Sequence, residues 1–178
     1  MTHKEFALKI SKVPFTPEVY KQHGWSEKFI EDTFKRHTFL PKEPSNTIPE
    51  CVDPILNLVR SFDVSNVEIG MVRFNDKIVN GQDYIIFGRA ETDDLVISKI
   101  TNEILLLESG INHVLYYCAS NSTTFLNALL QIAPIFQQRG IDVNLFENDA
   151  AQIKFASAFG ETAGGEKYKD FYRMLLGV

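Results

Sequence analysis

Four carboxylates crowd one stretch of this chain: Asp83, then Glu91, Asp93 and Asp94. At this density they could supply oxygen ligands for a divalent cation, a paired acid and base, or a negative patch for a basic partner. A plainer role competes, because acidic side chains beside a hairpin solvate the turn and accept from its exposed amides. The plainer role weighs heaviest, the partner patch next, and metal binding or catalysis last. Asp83, Glu91, Asp93 and Asp94 are therefore the candidate partner-binding residues; no residue is assigned as catalytic or as a metal ligand, and no cofactor is expected.

The rest of the chain is poor in chemical signatures. It has no G-x-G-x-x-G, no phosphate loop ending in Gly-Lys-Ser/Thr, no G-x-S-x-G and no H-E-x-x-H. Its four histidines, His3, His23, His37 and His113, are scattered, and none has a second ligand at metal spacing. Tyr116, Tyr117 and Cys118 stand together in an apolar run, where half-buried tyrosines with paired hydroxyls are a commoner outcome than nucleophilic chemistry. Cys118 should be an inert buried thiol and Cys51 a loop thiol, giving two free cysteines.

Composition narrows the partners. A chain of 178 residues, 44% hydrophobic and 23% charged, fits a single domain spanning 1–178 that buries about two thirds of its unfolded surface. A net charge of −5 without a basic cluster disfavours nucleic acid and suits a basic protein. The start, MTHKEFALKISKVPF, lacks a signal-peptide apolar core, and the longest apolar stretch, FLNALLQIAPIF, is interrupted by Asn127, Gln131 and Pro134. The expectation is a cytoplasmic protein with no membrane partner.

The elements that must position the carboxylates form an α+β fold, a central antiparallel sheet of about five or six strands flanked by N-terminal and C-terminal helices. Runs at Tyr84–Gly88, Asp93–Ile100, Glu103–Glu108 and His113–Ala119 predict a meander. Its firmest hairpin turns at Thr101-Asn102, where Asn tolerates a left-handed backbone. Val67–Phe74 predicts the first strand, followed by turns at Asn75-Asp76 and Asn80-Gly81. Ser120, Asn121 and Ser122 offer capping oxygens to a long helix from about Thr123 to Arg139. Helices are also predicted after Ser26, with Trp25 stapled across the first turn to Ile30, and after the cap at Asp53-Pro54, ending near Phe62. Val13–Pro17 and the Pro-rich crossing 39–54 should be extended. IDVNLF after Gly140 reads as a further short strand or an extended edge. AAQIKFASAF and KYKDFYRMLL read as two final helices parted at Gly164-Gly165, the first more buried through Ala150, Ile153, Phe155 and Ala156.

The order of Ile97, Thr101-Asn-Glu103-Ile104, Leu107, Asn121-Ser122 and Phe125 resembles the motif of the SUKH superfamily, which includes fungal regulators of cell-wall glucan synthesis and bacterial immunity proteins of polymorphic toxin systems. Ser98 stands where that family often has Asp, and Asn102 where it has Gly. The resemblance spans about a quarter of the chain. It implies a non-enzymatic module that binds and neutralises a cognate toxin. A regulatory scaffold of the same fold and a small hydrolase using the acidic loop are the alternatives.

Overall fold

A computed structural model of the chain describes residues 1–43 and 51–178; the centre of the expected Pro-rich crossing lies outside the described residues. Helices α1 (His3–Ile10), α2 (Pro17–Gln22), α3 (Glu27–Arg36) and α4 (Pro54–Ser61) precede the main sheet, with a two-stranded pair β1 (Leu40–Pro41) and β2 (Phe62–Asp63) around α4. The sheet is a six-stranded antiparallel meander of β3 (Glu68–Ile69), β4 (Val72–Asn80), β5 (Tyr84–Ala90), β6 (Asp93–Ser98), β7 (Ile104–Leu107) and β8 (Val114–Ala119), with neighbours in sequence paired in space. Helices α5 (Ser122–Arg139), α6 (Val143–Phe146), α7 (Asp149–Ala163) and α8 (Lys169–Leu176) complete the α+β fold.

Local chemistry explains most helix starts. Asp53 Oδ1 accepts from the Leu56 amide at 2.9 Å, and Asn121 Oδ1 from the Thr124 amide at 3.0 Å, so α4 and α5 begin where side-chain oxygens satisfy orphan donors. Two helices escaped the sequence reading although their signals were present. Thr2 and Glu5 form a reciprocal capping box that opens α1, whose Phe6 and Ile10 are fully buried, and Thr16-Pro17 places proline in the first turn of α2. Trp25 departs from the expected staple: it stacks on Phe29 with centroids 4.0 Å apart, because flat ring overlap is reached one residue earlier on the same turn.

The sheet follows its sequence pattern with two corrections. Val67–Phe74 is not one strand. Gly70 takes φ 61° between β3 and β4, where the Phe136 ring lies so close that a Cβ would sit 2.4 Å from it. Asn75-Asp76 is not a turn, since β4 continues to Asn80 and a register irregularity between Phe74 and Val79 absorbs the extra residues. The Asn80-Gly81 turn does close the β4–β5 hairpin, with the Gly81 amide donating to the Tyr84 carbonyl at 2.9 Å.

Beyond α5 two further expectations fail. IDVNLF folds as the short helix α6, because the Asp142 carboxylate accepts from both the Asn144 and Leu145 amides and nucleates a turn in a run too short to be typed by periodicity. Nor is α7 the more buried of the last two helices. Ala150 and Ile153 are exposed, while α8 buries Phe171, Tyr172, Leu175 and Leu176 because these apolar residues recur at i, i+1, i+4 and i+5 on one helical face.

The core lies between one face of the sheet and helices α1, α4, α5, α7 and α8. A relay of rings crosses it: Phe39, Phe6, Phe74, Phe87, Phe125, Phe171, Tyr172 and Phe159, with successive centroids 5.2 to 6.5 Å apart. This is where much of the chain's Phe goes. Burying each such ring stabilises by about 1.5–3 kcal/mol, with a further ~1 kcal/mol from edge-to-face geometry.

Candidate functional site

The sheet's second face has no helix in its apolar cluster. Among the described residues that cluster contains strand residues alone: Val96, Leu105 and Leu107 at its centre, with Tyr84, Ile86 and Val114 partly buried around them. Cross-strand register builds it. Val79 pairs with Ile86, Ile86 with Val96, Val96 with Leu105 and Leu105 with Tyr117, giving one apolar row across five strands. The ends of the row face solvent, Val79 at 53% and Tyr117 at 41% exposure, while its middle is shielded by its own neighbours.

Charged pairs border the row on both sides. On one side the register aligns Glu68, Arg73, Arg89 and Asp94, with Arg73 Nη2 at 3.2 Å from Glu68 and Arg89 Nε at 3.6 Å from Asp94. On the other, Lys167 Nζ sits 3.9 Å over the Tyr117 ring and 2.6 Å from Glu103, which also accepts from Tyr168 Oη at 2.8 Å. Burial raises the Glu103 pKa, but the bonds from Lys167 and Tyr168 outweigh it and hold the carboxyl below its usual range. Burial and the bond to Glu103 push the Tyr168 phenol up to about 12. Both groups therefore stay in one protonation state near neutrality.

The structure divides the four candidate carboxylates. Glu91 occupies the β5–β6 turn in a left-handed conformation, φ 54°, and is exposed. Asp93 accepts from the Ser109 amide at 3.2 Å and Asp94 pairs with Arg89, so both are half-buried and engaged. Asp83 precedes β5 and Glu91 follows it, which puts them about 25 Å apart on opposite edges of the sheet. Asp83 is thus not part of the cluster; its carbonyl accepts from the Lys99 amide at 2.9 Å instead. Glu108 replaces it, since the pairing of Asp94 with Leu107 brings the end of β7 alongside. The sequence reading placed Glu108 only as a strand end; the β6–β7 hairpin register was the signal that could have found it. Among the described residues no three His, Cys, Asp or Glu side chains gather as a metal site.

The residues carrying the family resemblance occupy structural positions. Asn102 has φ 60° and donates its amide to the Ser98 carbonyl at 2.8 Å, while Ser98 Oγ accepts from the Thr101 amide at 3.2 Å, so the serine serves this turn. Asn121 caps α5, Ser122 Oγ donates to Asp53 Oδ2 at 2.5 Å, and Phe125 is fully buried in the ring relay. Cys118 and Cys51 are both free thiols; Cys118 is fully buried, which pushes its pKa well up. Tyr117 does not share the half-buried fate expected for it, because strand alternation aims it at the open face.

A second polar feature lies in an aromatic-lined cavity of about 170 Å³ between α2, α3 and α5. Tyr20 Oη donates to Gln137 Oε1, Gln137 Nε2 lies 3.3 Å from His37 Nε2, and His37 Nδ1 lies 2.9 Å from the Thr33 carbonyl. Only the tautomer with hydrogen on Nδ1 satisfies the chain, leaving Nε2 to accept from Gln137. Burial lowers the His37 pKa and keeps the ring neutral. Each member spends its polar atoms on the next, so the chain fastens the α2–α3 hairpin to α5 and leaves no nucleophile free.

No helix among the described residues is long and apolar enough to cross a membrane. No family model matches the chain, and neither a curated protein nor a solved structure matches it.

Proposed function

We propose that this protein is a non-enzymatic binding module that presents the open face of its sheet to a basic partner, and that the partner is a toxin domain which the module neutralises in the cytoplasm. One observation carries the reading: an apolar row ending in the exposed Tyr117, bordered by charged pairs, with Glu91, Asp93, Asp94 and Glu108 at the adjoining edge. An exposed aromatic anchor bordered by charged groups is a feature of protein interfaces. The net charge of −5 suits a basic partner, and inhibition by coverage needs shape and charge rather than catalytic groups. The toxin assignment leans on the SUKH-like motif. The regulatory-scaffold alternative would use the same face. A hydrolase finds less support, since Asp93 and Asp94 are already engaged.

Co-expression with the neighbouring reading frame tests the partner, and association kinetics across salt concentrations test the surface. Reversing Glu91, Asp93 and Asp94 together to lysine should slow association about tenfold at low salt, with the difference fading as salt screens it. Tyr117→Ala should mainly speed dissociation. The proposal fails if the folded triple variant and Tyr117→Ala both bind and protect cells as the parent does at every salt concentration.

A further inference from the structure

A second surface carries the reverse charge logic, meeting the β5–β6 turn where the Glu91 amide donates to the Met71 carbonyl at 3.3 Å. Between α5, α6 and α8 lies an open groove of about 400 Å³ whose lining includes Met71, Phe136, Arg139, Phe146, Met174 and Leu176. It shares no residue with the open sheet face. Phe146, at 55% exposure, leaves a large aromatic surface uncovered at one wall. Among the described residues Arg139 is the only charged one in the lining. Its guanidinium lies 4.9 Å from the Phe146 centroid and 5.7 Å from the Phe136 centroid. Its Nε is buried with no hydrogen-bond partner among the described residues, and no carboxylate there forms an ion pair with it.

Of the acids on the flanking helices, Asp142 turns its Oδ1 to the first amides of α6, and Asp170 pairs with Arg173 at 3.6 Å. Aromatic contact strips water from the faces of the guanidinium but leaves its edge donors, a planar fork that matches a carboxylate in two-point geometry. Burial lowers the Arg139 pKa. The two methionines add flexible, polarizable walls that adapt to varied apolar side chains.

We infer that this groove docks an acidic-apolar segment of another protein, with leucine- or phenylalanine-like side chains against Met71, Phe146 and Met174 and an Asp or Glu on Arg139. The groove is open rather than a closed tunnel, which favours a peptide over a fatty acid.

The test selects short random peptides on the full chain and measures their affinity for the parent and variants by fluorescence polarisation. Enriched peptides should place Asp or Glu within one helical turn of Leu, Ile, Phe or Met. Arg139→Gln should weaken them about tenfold or more. Arg139→Lys, which keeps charge and stem but loses the planar fork, should weaken them less, and it preserves the test should another variant fold poorly. Tyr117→Ala, at the far end of the apolar row on β8, should leave peptide affinity unchanged, which separates this surface from the sheet face. The inference is overturned if no such peptides are enriched, if they bind Arg139→Gln as well as the parent, if dodecanoate displaces them at low concentration, or if the chain dimerises through the groove in sedimentation.

Discussion

Asp53 holds two helix N-termini at once, and removing it should expose how they are coupled. Its Oδ1 caps α4 through the Leu56 amide, and its Oδ2 accepts from the buried Ser122 hydroxyl at 2.5 Å at the start of α5. Asp53→Ala deletes a cap worth ~1 kcal/mol. It also leaves the Ser122 hydroxyl buried without its acceptor, adding about 1–3 kcal/mol. The expected loss is about 2–4 kcal/mol, or a fall in Tm of about 4–16 °C for a chain of this size. Asp53→Asn retains an oxygen for the cap but presents a donor where Ser122 needs an acceptor, so it should recover only the cap's share, ~1 kcal/mol, of the Asp53→Ala loss. Urea unfolding of Asp53→Ala, Ser122→Ala and the double variant closes the cycle. The double variant should be less destabilised than the two singles added, by about 1 kcal/mol, because the stranded hydroxyl is gone. Strict additivity, or an Asp53→Ala loss below about 0.5 kcal/mol, would refute the coupling.

Asn102→Val should destabilise by about 1–2 kcal/mol, since a β-branched residue is strained at φ 60°, whereas Asn102→Gly should be nearly neutral; equal melting curves for the two would show that backbone strain does not govern this turn. His37 is held below its usual 6.5 by burial, so the unfolded chain takes up a proton first as pH falls. The stability His37 contributes is complete above about pH 6.5 and declines as pH falls toward the folded value. His37→Gln should flatten the pH dependence of Tm between about pH 8 and pH 5; an unchanged slope would move its origin elsewhere.

What the sequence determined is what neighbours in the chain decide. The meander, the left-handed Asn102 turn, the caps at Ser26, Asp53 and Asn121 and the break at Gly164-Gly165 each follow from backbone sterics or from a side chain reaching an amide a few residues away. The capping box at Thr2 and Glu5 was legible by the same rule. Short ambiguous runs were not, because Val143–Phe146 is too brief for period 2 or 3.6 to be told apart and a single capping aspartate decided it. The tertiary structure alone decided the candidate site. Val79, Ile86, Val96, Leu105 and Tyr117 become one row only through cross-strand register, on the face away from the helix-covered core. Extended geometry carried Asp83 away from Glu91, and hairpin pairing brought in Glu108. Arg139 lies between Phe136 and Phe146, on different helices, only because α5 and α6 pack together. These are contacts between residues distant in sequence, whose closure costs chain entropy and is repaid only by the packed whole.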